Sequence, residues 1–309
     1  MGPYLSSPIR DKKTHSGESH QVRFATCEMQ GWRNTMEDAK LVNLSLDSNT
    51  MLFGVFDGHG GKEVAEFVSR HFCEELLRNK AYQQGNLEQA LKENFLRMDE
   101  MLRTTEGVKE VLRIAKDLPD NYPVEADSSQ MIAGCTSVVT LVRNNKIYVA
   151  NAGDSRCVLA REGRAVELSF DHKPDLPEEH NRITRAGGVV EDGRVMGNLN
   201  LSRSIGDLEY KKNNSIPQKD QMITAFPDVK VEEQKGNEDF MILACDGVWD
   251  MLTSQECVNF VAQRIRNKPL QTIADEVLDR CLAPDIASSG GLGCDNTTII
   301  IVEFKNNSS

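Results

Sequence analysis

Three aspartates stand where apolar runs break off. Met51, Leu52, Phe53, Val55 and Phe56 lead into Asp57-Gly58-His59-Gly60-Gly61, Phe240 to Ala244 lead into Cys245-Asp246-Gly247, and Cys294-Asp295-Asn296 comes just before the run Thr297 to Val302. Short apolar runs bounded by turn residues are the pattern of fully buried strands. Each such strand delivers a carboxylate to the lip of the core, and at the first the glycines let the backbone turn sharply. Hard cations take oxygen donors of this kind. A single Asp-Gly is a turn signal and no more. Three acids at three strand ends, with an isolated histidine beside the first, point instead to a cation site assembled from distant parts of the chain.

The elements that must position these acids follow from periodicity. Val22 to Cys27 begins the fold as a strand, and Met29 to Asp38 forms a loop with an arginine and two adjacent acids, Glu37 and Asp38. Leu41 to Leu46 is strand-like. Val64, Phe67, Val68, Phe72, Leu76 and Leu77 recur at helical spacing, as do Leu87, Leu91, Phe95, Met98 and Leu102 after a cap at Asn86. Residues 104–130 read as a helix fragment and an acidic loop with no chemistry. From Gly134 the chain turns back on itself in successive hairpins through Ala150 and Leu168, which means antiparallel sheet. A short helix from Asp175 to Arg185 stops at Gly187-Gly188. A polar, loop-rich stretch then runs to about Met222. Helices capped by Thr253 and spanning Leu270 to Leu282 precede the closing strand. The expected class is α/β (α+β): a layered sandwich of two packed antiparallel β-sheets flanked by pairs of α-helices. Residues 1–21 read as an exposed N-terminal extension, 22–304 as one folded domain that includes the polar stretch at about 176–222, and 305–309 as a short tail.

Composition narrows the function. The chain has 309 residues, a formal net charge of -11 and no basic surplus with which to bind a nucleic-acid backbone. Eight scattered cysteines form no Cys-x-x-Cys pair and no zinc spacing, so they read as reduced thiols in a cytoplasmic or nuclear compartment. No segment reaches the roughly 20 apolar residues of a membrane span, and the N-terminus lacks a signal-peptide core. Met1-Gly2 with Ser6 matches the loose myristoylation pattern, although Pro3 is an awkward neighbour for it. Acylation there would give weak membrane association. A monomer is expected.

Six motifs occur in order: Gln30-Gly31-Trp32-Arg33-x-x-Met36-Glu37-Asp38, Phe56-Asp57-Gly58-His59-Gly60-Gly61, Gly153-Asp154-Ser155-Arg156, Ser202-Arg203-Ser204-Ile205-Gly206-Asp207, Asp246-Gly247-x-Trp249-Asp250 and Asp295-Asn296. Together they resemble the signature of the metal-dependent protein phosphatases, type 2C, over nearly the whole chain. The resemblance implies hydrolysis of phosphoserine and phosphothreonine in proteins by a hydroxide bridging two Mg²⁺ or Mn²⁺ ions, without a covalent phosphoenzyme. It implies that Asp57 bridges both ions, that Asp246 and Asp295 complete one, and that Glu37 and the Gly58 carbonyl hold the other. Asp154 and Asp250, with Asp246, would form a weaker third site. Arg33 would bind the substrate phosphoryl group, His59 would protonate the departing hydroxyl, and Asp38 would position a water. The segment at 176–222 corresponds to a flap beside the site. Asn200-Leu201 stands where relatives have Ala-Val, which touches substrate choice but no ligand.

The chemistry is coherent on its own terms. Phosphate monoesters are among the slowest bonds to hydrolyse in water. Two divalent ions roughly 3.5–4 Å apart clamp phosphoryl oxygens and acidify water. A guanidinium fork matches phosphate with two parallel bonds. An alkoxide leaves poorly without a proton donor tuned near neutrality, which is histidine's range. His71, His172 and His180 lack such a setting. An inactive binding module would have replaced a ligand or Arg33, and all are present. A two-metal nuclease conflicts with the acidic charge, while small phosphoesters remain open as side substrates.

Overall fold

Stretches whose apolar side chains alternate or run unbroken pair into sheets here, and those with three-to-four-residue spacing coil. The computed structural model of the chain describes residues 4–305. It begins with β1 (Ile9–Glu18), β2 (Val22–Gly31), β3 (Ala39–Asn43) and β4 (Thr50–His59), followed by α1 (Glu63–Arg78), α2 (Lys80–Gln83), α3 (Leu87–Leu102) and α4 (Thr105–Ala115). Then come β5 (Gly134–Arg143), β6 (Lys146–Ala152), β7 (Arg156–Arg161), β8 (Arg164–Glu167), α5 (Pro177–Arg185), β9 (Val190–Glu191), β10 (Arg194–Val195) and β11 (Ile205–Gly206). The last part is β12 (Asp228–Glu233), β13 (Glu238–Ala244), α6 (Asp246–Trp249), α7 (Ser254–Ala262), α8 (Leu270–Cys281), α9 (Ile286–Ser289) and β14 (Thr297–Phe304).

One sheet runs β1-β2-β14-β13-β7-β8 and the other β12-β6-β5-β4-β3, with β11 paired to β5. The ladders within both are antiparallel. Side-chain parity sets the layers. In β4, Met51, Phe53 and Val55 face the opposite sheet and join Phe24, Val138, Leu159, Leu243 and Ile300 in the core between the sheets. Leu52 and Phe56 point the other way, under Phe67, Phe72, Leu91 and Phe95 of α1 and α3. Ile242, Ile299 and Ile301 meet Val258, Ile273 and Val277 of α7 and α8 on the far side. Each such side chain contributes about 1.5–3 kcal/mol by being buried. The layers are helix, sheet, sheet, helix, as expected. Thr253 and Glu256 form a reciprocal cap on α7, and the Asn86 side chain accepts from the Gln89 N–H at the start of α3.

The reading of residues 1–21 as an exposed extension needs correction at Ile9–Glu18. These residues are mostly exposed, but they are hydrogen-bonded along β2 as the edge strand of the first sheet. Their contacts to α8 are polar: Thr14 donates to Asp275 at 2.6 Å and Lys12 to Asp279 at 2.7 Å. A strand held that way carries no hydrophobic periodicity. Gly2 and residues 306–309 of the tail lie outside the described residues. Residues 177–223 carry a small core of their own around Ile183, Val195 and Ile223. Among the described residues, no helix is long and apolar enough to cross a membrane. All eight cysteines are free thiols.

Candidate metal centre

The parity that builds the core also builds the floor of the site. Asp57 follows Phe53 and Val55 on the inward face of β4, at the end of the sandwich where the apolar side chains run out. Cys245 follows Leu243 in phase beyond the end of β13, and Thr298 precedes Ile300 in phase on β14. Ligating atoms of Asp38, Asp57 and Cys245 accordingly lie within 4.8 Å of one another. The Thr298 hydroxyl donates to Asp38 Oδ2 at 2.7 Å.

Above this floor, Arg33, Glu37, Asp57, Gly58, His59, Asp154, Asp246 and Asp295 line a single cleft of about 230 Å³. Thr35, Thr136, Asn200, Leu201 and Asn296 line it as well. The loop after β2 is fixed by Asn296, whose side chain accepts from the Glu37 N–H at 2.9 Å and donates to the Gln30 and Thr35 carbonyls at 2.9 Å. Gly58 allows that loop to come close, since a Cβ there would sit 2.3 Å from the Glu37 carbonyl oxygen. Glu37 then accepts from the Thr35 hydroxyl at 2.7 Å and the Gly61 N–H at 3.1 Å. Arg33 Nη2 donates to Asp295 Oδ2 at 2.6 Å, and its buried Nε has no hydrogen-bond partner among the described residues. Lys173 donates to Asp154 at 2.5 Å. His59 Nε2 lies 2.7 Å from Asp207 Oδ2.

Two of the expected residues stand off the cleft lining. Asp38 is buried and reaches Asp57 from within the sandwich. Asp250 ends α6, one turn after Asp246. A hollow of about 270 Å³ at the opposite end, beside Gln21, Arg143 and Lys305, gathers no comparable group of acids.

The electrostatics describe a site short of positive charge. Burial, then the charges of Asp38, Asp246, Asp295 and Asp154, push the Asp57 carboxyl well above its ordinary range. Burial and the charges of Asp154 and Asp295 do the same to Asp246. Asp38 is pushed up to about 7 by burial and the Asp295 charge, against its bond from Thr298. Burial raises Asp250 too. Among the described residues, Arg33 and Lys173 are the cationic side chains hydrogen-bonded to these carboxylates. Carboxylates this crowded need more positive charge than that, and a donor set of carboxylate and carbonyl oxygens suits hard divalent ions. The residues therefore fit such ions. For His59, burial would favour the neutral ring, but the charge and hydrogen bond of Asp207 outweigh it and raise its affinity for a proton.

Sequence reasoning missed Cys245, Thr298, Thr136, Asn296, Lys173 and Asp207. Strand parity, carried one residue past the end of β13 and read at the start of β14, is the signal that would have found the first two. Asp207 stood in a quoted motif without a role.

Residues 22–290 match the profile of the family described as protein phosphatase 2C. A relative from Paramecium tetraurelia, "Probable protein phosphatase 2C 3", is 51% identical over 310 residues, covering 99% of this chain and 100% of that one. One from Arabidopsis thaliana, "Probable protein phosphatase 2C 21", is 43% identical over 99% of this chain and 93% of its own. The solved serine-threonine phosphatase 2C from Toxoplasma gondii is 24% identical and superposes with a TM-score of 0.74, covering 98% of this chain and 99% of that one, a likeness of fold. With two antiparallel sheets between helices, acids converging at one end and this extent of shared sequence, the chain belongs to the protein phosphatase 2C family, metal-dependent serine/threonine protein phosphatases.

Proposed function

We propose that this phosphatase hydrolyses phosphoserine and phosphothreonine in proteins at a binuclear Mg²⁺ or Mn²⁺ centre, water attacking phosphorus directly with no side chain esterified. The observation that carries the reading is the convergence of Glu37, Asp57, Asp246 and Asp295 on one cleft with Arg33 at its rim. Asp57 would serve both ions, Asp246 and Asp295 one of them, and Glu37 with the Gly58 carbonyl the other. Asp154, Asp246 and Asp250 would make a weaker third site. When bound, such ions neutralise the phosphoryl oxygens and lower the pKa of water towards neutrality.

The chain's own residues do the rest. Arg33 turns its free donor edge to the phosphoryl group and orients it for in-line attack. Asp38, held by Thr298, orients water with its second oxygen. His59 gives a proton to the serine or threonine oxygen as it departs. Buried free thiols support a reducing, cytoplasmic setting, and the chain would act as a monomer.

Turnover of a phosphothreonine peptide with Mn²⁺, with EDTA, and in Asp57→Asn tests the reading. Chelation should abolish activity. The substitution should cost more than the roughly 10–100-fold loss that follows removal of an outer partner of a metal ligand. Activity that survives EDTA sinks the proposal.

A further inference from the structure

We propose that Asp207 is a positioning residue for His59, holding the imidazole in the tautomer and orientation from which it protonates the leaving oxygen. The inference rests on the reading of His59 as the general acid. It begins with strand register. His59 is paired with Gly134 across β4 and β5, and Gly134 is paired with Gly206 across β5 and β11. The three positions lie in a row, and the middle one has no side chain. A Cβ on Gly134 would sit 2.3 Å from Asp207 Oδ2 and 2.6 Å from His59 Nε2, so the glycine leaves the space in which these two groups meet.

Asp207 is held from several sides. Its backbone is left-handed at φ 48, and its N–H donates to the Ala133 carbonyl at 3.1 Å. The Ser204 hydroxyl donates to the same Oδ2 that meets His59. Asp99 of α3 accepts the Gly206 N–H at 2.8 Å and the Lys211 ammonium at 2.6 Å, and Lys211 also donates to the Ser204 carbonyl at 2.8 Å. The Asp207 side chain is 3% exposed and that of His59 25% exposed. Asp207 is absent from the cleft lining while His59 is part of it, so the carboxylate acts through the ring.

A carboxylate only accepts hydrogen bonds, so Nε2 must carry the proton shared with Asp207, leaving Nδ1 for the substrate. The same logic makes a buried aspartate orient a catalytic histidine and stabilise its charged form in other hydrolases. As the bond between phosphorus and the threonine oxygen breaks, its electron pair goes to that oxygen while the oxygen of the attacking water, which gives up one proton to solvent, bonds phosphorus. The leaving oxygen takes the proton from Nδ1. Nε2–H stays on Asp207, and the neutral ring regains its Nδ1 proton from solvent.

Leaving-group dependence separates this role from a structural one. A threonine alkoxide needs a proton to depart, whereas p-nitrophenolate leaves nearly unaided. Steady-state kinetics at saturating Mn²⁺ would compare wild type, Asp207→Asn, His59→Gln and the double variant on a phosphothreonine peptide and on p-nitrophenyl phosphate. For Asp207→Asn, the peptide kcat should fall about 10–100-fold with little change in KM, and the ratio of peptide to aryl rate should fall at least about tenfold. Adding Asp207→Asn to His59→Gln should change the peptide rate by less than about twofold, since the two act as a unit. Nitrogen-detected NMR of the Mg²⁺-loaded wild type, which needs no variant to fold, should show His59 Nε2 protonated. Equal losses on both esters, no loss, additive losses or an unprotonated Nε2 would each overturn the role of Asp207. If His59→Gln slows both esters alike, the acid reading of His59 fails and takes the inference with it. A ratio that falls in His59→Gln but not in Asp207→Asn removes Asp207 alone.

Discussion

Arg33 spends one edge of its guanidinium on Asp295 and leaves a buried Nε without a partner among the described residues. A buried donor in that state gains most from an incoming phosphoryl oxygen, because a lost hydrogen bond costs about 1–3 kcal/mol. The fork supplies two parallel bonds where an ammonium supplies a point charge. Arg33→Lys should therefore raise KM for a phosphothreonine peptide about tenfold, and Arg33→Ala further, in steady-state assays with an unchanged circular dichroism spectrum. A fall in kcat at constant KM would instead assign Arg33 to the chemical step alone. At this scale, legibility follows where a residue stands. Asp57, Asp246 and Asp295 were visible because each interrupts an apolar run. Cys245 and Thr298 were not, because each looks like one more member of a core strand until the register shows which way it points. Asp207 needed the pairing of β11 to β5, a contact between residues 72 positions apart (Gly134 and Gly206) that no local pattern announces.

Within residues 177–223, α5 is held in place by charge. Glu179 on it accepts from Arg182 Nη1 at 2.6 Å, from Arg203 Nη2 at 2.7 Å and from the Ser202 hydroxyl at 2.6 Å, tying the helix to the strand-like segment that leads to Asp207. Burial would raise the Glu179 carboxyl, but the hydrogen bonds and charge of Arg203, then Arg182 and Ser202, hold it down to about 2. Its ordinary value in an unfolded chain is about 4.3. A carboxyl depressed by folding stabilises the fold above its unfolded value, and that contribution fades as pH falls through the folded one. Urea unfolding should thus find Glu179→Gln less stable by about 3 kcal/mol near neutrality, with the gap to wild type narrowing below about pH 4. A gap independent of pH would show that shape rather than charge holds the segment. The sequence marked α5 by its glycine stop and the two long helices by their apolar stripes. It left β1 as an extension because that strand is held by polar contacts to α8, and it left α6 as a motif because four residues are too few to show a period.

Over the whole molecule, the question is what the fold gives up to hold its site. A chain of net charge -11 gathers carboxylates at one end of its sandwich and sets two cationic side chains against them. Without ions, that arrangement opposes folding by repulsion among partly buried like charges. Function is thereby set against stability, a trade found where active sites are strained. Ions that bind the folded chain alone add RT ln(1 + [L]/Kd), about 2.7 kcal/mol for each site at a hundredfold excess over Kd. For a chain of this size, that corresponds to roughly 4 °C in Tm for each site. Mn²⁺ should raise the melting temperature of the wild type by that order, and EDTA should reverse it. Asp57→Asn keeps the shape and removes the central charge, so in EDTA it should melt at or above the wild-type temperature while losing most of the rise with Mn²⁺. A variant that melts well below wild type in EDTA would mean Asp57 supports the fold rather than burdening it. One that keeps the full rise would mean the ions bind elsewhere, and the two-sheet end at Asp57 would lose its claim to be the metal centre.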